Sequence, residues 1–202
     1  MSRLTALASL VVLLVSTGSA QAGPPCLCWP FAHERENDLP LTGHKEVSAA
    51  QAVETALELL EAEQSVFVRM EVLRRVVMRI RRDEPARDAL LARLMQRALD
   101  GEAANRPSVR AWFDAAYAQA AFRQLGVDHL GDGYAWMKRA LALSKGDPRI
   151  EFAAALIALD ARGDLEQHQA AAERAEADDA LLARNLEMLR ENANLKRVEP
   201  AK

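Results

Sequence analysis

The chain has 202 residues, of which 50% are hydrophobic, 5% aromatic and 27% charged, and its formal net charge is −3. A composition rich in Ala, Leu, Arg and Glu, with few glycines, favours an all-α fold, and the length suits a single domain. The near-neutral charge argues against nucleic-acid binding, because it supplies no strong basic field for phosphates.

Residues 1–22 are typical of an export signal. Arg3 forms a short basic start, an apolar run extends from Leu4 to Val15, and Ala20-Gln21-Ala22 is a small-x-small cleavage site. The apolar run is too short to span about 30 Å of hydrocarbon as a permanent helix. We therefore expect a mature chain that begins at Gly23 and is periplasmic or secreted, and the form of the signal indicates a bacterial protein.

Residues 23–44 are predicted to form an irregular arm, because prolines interrupt it and no hydrophobic period is sustained. Both cysteines of the chain lie here, in Cys26-Leu27-Cys28, so no disulfide framework holds the remainder. Together with His33, these thiols are candidate ligands for copper(I) or zinc, and no other cofactor is expected. A disulfide without a catalytic role is favoured over metal binding, redox activity or inert thiols.

Residues 45–194 are predicted to form an all-helical domain, since helical periodicity continues almost without a break. The first helix follows Ser48, and the second runs from about Ser65 to Arg82, as a separate helix or as the second half of one bent helix. Six more helices begin at typical start signals, which are Asp83-Glu84-Pro85, Pro107-Ser108, Asp132-Gly133, Asp147-Pro148, Asp164 and Asp178 or Asp179. Four helix ends are expected at Gly101, Gly126, Gly146 and Gly163, and residues 195–202 are expected to fray.

The short loops between these helices predict antiparallel hairpins. The stretch from Tyr134 to Leu143, followed by Gly146-Asp147-Pro148, resembles the second helix of a tetratricopeptide repeat, where an Ala-Leu pair precedes a turn proline. The resemblance covers about residues 108–177, although the long turn over 125–133 and the late proline depart from the family pattern. It implies a short α-solenoid whose concave groove binds a peptide or a partner protein without catalysis. An irregular helical bundle is the alternative architecture.

Aromatic residues concentrate in the middle third of the chain at helical spacing, which makes core packing their ordinary role. If a groove is present, one or two of them are expected to face it and anchor a partner segment. The candidates for this role are Trp112, Tyr117, Tyr134 and Trp136.

The segment 69–82 carries the densest run of arginines, and Arg75, Arg79 and Arg82 share one helical face. One interpretation is a stripe that binds an acidic partner or anionic lipid, which would be the only route to membrane association. The other is a solvated helix face that nearby acids neutralise.

Catalytic signatures such as Gly-x-Ser-x-Gly, His-Glu-x-x-His or a phosphate-binding loop do not occur in the sequence. The sequence therefore predicts an exported, noncatalytic protein-binding or scaffold protein that uses a helical-repeat groove. The alternative is a thiol or metal-binding protein of the cell envelope that acts through Cys26 and Cys28.

Overall fold

A computed structural model describes residues 30–35, 39–41, 47–127, 132–158 and 162–193. Within these ranges the chain is all-helical, as predicted, with eight helices and no strand. The helices are α1 (Ala49–Ala62), α2 (Val66–Ile80), α3 (Glu84–Ala103), α4 (Val109–Gln124), α5 (Gly133–Ser144), α6 (Pro148–Ile157), α7 (Arg162–Glu173) and α8 (Ala180–Ala193). None of the described helices is both long and apolar enough to cross a membrane.

Seven of the eight predicted helix starts act as caps, whereas Asp164 lies within the first turn of α7, which begins at Arg162. The Ser48 hydroxyl accepts a hydrogen bond from the Gln51 amide, and the Gln51 side chain accepts one from the Ser48 amide, which forms a capping box. Ser65 caps α2 in the same sense, with its hydroxyl accepting from the Val68 amide. Because Ser65 starts a new helix, α1 and α2 are two helices rather than one bent helix.

Two of the predicted glycine stops lie inside helices instead. Gly101 belongs to the last turn of α3, and Gly163 to the first turn of α7. A glycine within a helix costs only about 1 kcal/mol relative to alanine, so its presence alone does not end a helix. The end of α5 follows the prediction, because Lys145 and Gly146 adopt the left-handed backbone with φ of 55° and 87°.

The helices pack in sequence as hairpins, and the even-numbered helices also contact one another. Helix α2 packs on α4 and α6, α4 packs on α6, and α6 packs on α8. Burial agrees with this arrangement, since 11 of 15 residues are buried in α2 and 11 of 16 in α4, against 5 of 20 in α3. Helices α2, α4 and α6 are therefore the inner layer of a repeat-like helical fold, and α8 packs on α6 at one end of that layer.

A buried ion pair connects two helices of the inner layer. The Arg69 and Asp114 side chains are each 1% exposed and form a two-point contact, in which Arg69 Nε lies 2.8 Å from Asp114 Oδ1. The Arg69 guanidinium also donates to the backbone carbonyls of Leu60 and Glu63. One side chain thus joins α2, α4 and the α1–α2 turn, and every charge in this part of the core has a partner.

Candidate functional site

The inner helices present a groove in which part of the N-terminal arm lies. Residues 30–35, which we call the docked segment, are neither helix nor strand and contact α2, α6 and α8. Phe31 is buried with its ring edge-on to Phe152 of α6, at a centroid distance of 6.2 Å. Phe152 in turn makes an edge contact with Phe67 of α2 at 5.7 Å. The docked segment therefore inserts an aromatic side chain between the inner helices.

The backbone of the docked segment is held by a single amide side chain. Asn185 of α8 is fully buried, its Oδ1 accepts from the Ala32 amide at 2.9 Å, and its Nδ2 donates to the Ala32 carbonyl at 2.9 Å. An asparagine carries the donor and the acceptor that a peptide group needs, so this contact recognises a backbone whatever its sequence. Asn185 therefore fixes the backbone of the docked segment against α8.

A carboxylate-binding corner lies further along the docked segment. The Glu34 carboxylate accepts from the Ser65 hydroxyl and from Arg149 Nη1, each at 2.6 Å. Arg149 Nε also lies 2.6 Å from Asp179, the residue that precedes α8. Its guanidinium is 4.9 Å from the centre of the Phe67 ring. The corner thus combines a fixed cation, a hydroxyl and the N-terminus of α2, all of which favour a negative charge.

The electrostatics of this corner agree with its geometry. Burial by itself raises the pKa of Glu34, but the hydrogen bonds from Ser65 and Arg149 outweigh it and hold that pKa below its ordinary value. Burial also raises the pKa of Asp179, but its hydrogen bonds with Arg149 and with the Leu181 and Leu182 amides, together with the Arg149 charge, outweigh burial and lower that pKa. Both carboxylates are therefore charged at neutral pH, and Arg149 lies between them.

Within the arginine-rich segment Arg69 is buried, Arg74, Arg75 and Arg79 are partly buried, and Arg81 and Arg82 are exposed. Arg74 and Arg75 bind the buried Glu71 carboxylate at 2.7 and 2.6 Å. Arg75 also donates to the Leu39 carbonyl at 2.9 Å, and Arg79 to the Val47 carbonyl at 3.0 Å. Arg75 and Arg79 thus bind the backbone at Leu39 and Val47, which lie between the docked segment and α1 in the sequence.

A cavity of about 710 Å³ opens beside the docked segment. Its lining combines residues of that segment, such as His33, with residues of α2 and α8, among them Arg75, Arg184 and Glu187. Side chains of both charges line it, so the cavity has no strong preference for one sign. The docked segment therefore leaves part of the groove open.

The four aromatic candidates lie in different environments. Tyr117 is fully buried and stacks on Phe113 at 5.8 Å. Trp112 is partly buried, and its Nε1 donates to Glu102 of α3 at 2.9 Å. Trp136 is a partly buried residue of α5 that packs on the core. Tyr117 therefore lies in the core, and the partner-binding role of these three residues stays a prediction that only the partly exposed Trp112 and Trp136 could carry on the surface of α3, α4 and α5.

Tyr134, the fourth candidate, belongs to a polar network that sequence reasoning did not find. Its hydroxyl lies 2.9 Å from Asp164 and 2.8 Å from His168 Nε2, while His168 Nδ1 lies 2.6 Å from Glu151. Burial, and then the hydrogen bond to Asp164, raise the pKa of Tyr134. Because these residues come from α5, α6 and α7, the network fastens three successive helices together.

The cysteine candidates, Cys26 and Cys28, lie outside the described residues. His33 is buried, and its Nδ1 accepts from the Arg35 amide at 3.1 Å. Among the residues that the structure describes, no group of three or more His, Cys, Asp or Glu side chains is placed to hold a metal ion. The thiol or metal role stays a prediction.

The groove residues Asn185 and Arg149 were also missed, although each carries a signal. Asn185 lies beside the apolar stripe Leu182, Leu186 and Leu189, where a poor helix former is out of place unless it has a partner. Arg149 follows Pro148 at the start of α6, where the helix dipole disfavours a cation. Both anomalies indicate a specific contact without identifying it.

Comparison of the chain with models of known protein families, with curated proteins and with solved structures found no match. The candidate site is therefore interpreted from its own geometry.

Proposed function

We propose that this chain is an exported, noncatalytic protein-binding or scaffold protein, whose hairpins form a short tetratricopeptide-like repeat. Its binding surface is the groove formed by α2, α6 and α8, which we call the inner groove. The observation that carries this proposal is the pair of hydrogen bonds between Asn185 and the Ala32 backbone. A buried side chain that satisfies one peptide group in full is equipped to hold a peptide segment.

The packing of the helices supports the repeat assignment. Hairpins α4–α5 and α6–α7 coincide with the units that the sequence resemblance covers, and the even-numbered helices stack on one another as successive first helices of a repeat would. Export rests on the predicted signal at residues 1–22. N-terminal sequencing of the protein after expression in a bacterial host tests it, and we expect Gly23 as the first residue.

Selection of random short peptides on the immobilised protein tests the binding function. We expect enriched peptides whose binding is lost in Asn185→Ala and retained in Arg93→Ala, a variant on an exposed position of α3. Trp112→Ala and Trp136→Ala test the aromatic surface of α3, α4 and α5 in the same assay. Failure to enrich any peptide, or enriched peptides that bind Asn185→Ala unchanged, would overturn the proposal for the inner groove.

A further inference from the structure

The docked segment contacts the inner groove through three features at fixed spacing. Phe31 provides an aromatic ring against Phe152, the next residue provides its backbone to Asn185, and Glu34 provides a carboxylate three positions after the ring. The first and third features depend on side-chain type, whereas the second does not. The spacing therefore describes a motif that the groove can distinguish from other segments.

We propose that the inner groove recognises a partner segment in which an aromatic residue is followed three positions later by an acidic residue. Residues 31–34 of this chain are then the resident competitor for that partner. The inference rests on the proposed binding function and specifies the chemistry of the partner.

The carboxylate-binding corner supports the acidic position. Ser65 Oγ and Arg149 Nη1 bind the two different oxygens of the Glu34 carboxylate, each at 2.6 Å. The Ser65 hydroxyl oxygen accepts a hydrogen bond from the Val68 amide and so caps α2, while the hydroxyl proton donates to the acid. When Glu34 leaves, Arg149 keeps Asp179 but loses one of its two carboxylates. An incoming acid restores that contact, and a neutral side chain does not.

The aromatic position and the backbone contact follow the same logic. Without the docked segment, the Phe152 ring loses its edge contact with Phe31, and the Asn185 amide loses both of its hydrogen bonds to Ala32. A partner that replaces only one of these contacts leaves the Asn185 amide without hydrogen bonds or the Phe152 ring without its packing contact. The groove therefore favours a segment that replaces all three.

Competition between the docked segment and a partner gives the test. Because the docked segment belongs to the same chain as the groove, it acts at an effective concentration of roughly millimolar, so a peptide of the same sequence has to compete with it. The probe is a fluorescent peptide, Pro-Phe-Ala-His-Glu-Arg, with the sequence of residues 30–35 and blocked ends. Its binding is measured by anisotropy to the wild-type chain and to a full chain carrying Phe31→Ala and Glu34→Gln, which weaken the competitor.

We expect the double variant to bind this peptide at least about tenfold more tightly than wild type does, because its own segment competes less. Peptides with alanine at the aromatic position or glutamine at the acidic position should each lose at least about tenfold in affinity. Adding Asn185→Ala should abolish binding, with circular dichroism as the check on folding. Should that variant unfold, the two altered peptides still decide the question.

Equal binding of all three peptides, or no binding to the double variant, would overturn the inference. If random peptides nonetheless bind in an Asn185-dependent way, the proposed function stands and only the partner motif fails. A wild-type dimer that Phe31→Ala converts to monomer would show that the segment is exchanged between copies, which also overturns the inference.

Discussion

The proposal implies that the docked segment can leave the groove while the helices stay packed, and this would set a ceiling on the stability lost when a residue of the segment is substituted. Phe31 is 4% exposed, and burial of such a side chain is worth about 1.5–3 kcal/mol. Its edge contact with Phe152 adds about 0.5–1.5 kcal/mol. The upper limit on the free energy of unfolding lost by Phe31→Ala is therefore about 2–4.5 kcal/mol. The loss is smaller if undocking the segment costs less than these contacts contribute.

Phe152→Ala provides the comparison from the other side of the same contact. Phe152 is fully buried within α6 and cannot leave, so its loss creates a cavity that costs about 3–5 kcal/mol. Because undocking can limit the loss only for Phe31→Ala, we expect Phe31→Ala to destabilise the protein less than Phe152→Ala. We also expect Asn185→Ala to cost little in the Phe31→Ala background, because the segment that it binds has already left.

Urea unfolding followed by far-ultraviolet circular dichroism measures each free energy of unfolding. Losses for Phe31→Ala and Asn185→Ala that add within about 0.5 kcal/mol would refute the reasoning. Equal losses for Phe31→Ala and Phe152→Ala would refute it too, since they would make the docked segment a fixed part of the core.

Three further predictions concern the fold and the pH dependence of docking. Arg69→Met should lower the free energy of unfolding in urea by about 3–5 kcal/mol, because it leaves Asp114 buried without its cation. Combining it with Asp114→Leu should recover much of that loss. A loss under about 1 kcal/mol for Arg69→Met would contradict the buried pair. Gly133→Ala should lower the melting temperature, since a Cβ there would lie 2.6 Å from the Ala116 carbonyl oxygen and would push α4 and α5 apart; an unchanged melting temperature would count against this close approach. Docking lowers the pKa of Glu34 below its ordinary value of 4.5, so the stabilisation of docking by Glu34 is present above that pH and is lost as the pH falls through the lowered value. Amide exchange at Ala32 should then accelerate in acid beyond its intrinsic rate. The Glu34→Gln variant should show no such extra acceleration.

The sequence was most informative where local chemistry decides the structure. The caps at Ser48, Ser65 and Asp83 each depend on a side chain and a backbone amide about three residues apart, which a sequence pattern reveals directly. The helix ends were less predictable, because Gly101 and Gly163 are tolerated within helices when the rest of the helix is favourable. All-α architecture followed from periodicity in the same local way.

The inner groove was not predictable, because its contacts join distant parts of the chain. Ala32 and Asn185 are separated by 153 positions, and nothing near either residue identifies the other. The arginine-rich segment shows the same limit, since its helical spacing gave no sign that Arg75 and Arg79 donate to the carbonyls of Leu39 and Val47. Aromatic periodicity correctly predicted packing for Tyr117 but did not select Phe31, which lies in an arm without any period.

The most direct test of the central claim is the nuclear Overhauser effect between the ring protons of Phe31 and Phe152. Their centroids lie 6.2 Å apart in an edge contact, so we expect a clear cross-peak in the free protein. Saturation with a partner peptide that binds in an Asn185-dependent way should remove this cross-peak as the docked segment is displaced. Its absence from the free protein, or its persistence in the saturated complex, would contradict the proposal that the inner groove holds a displaceable segment.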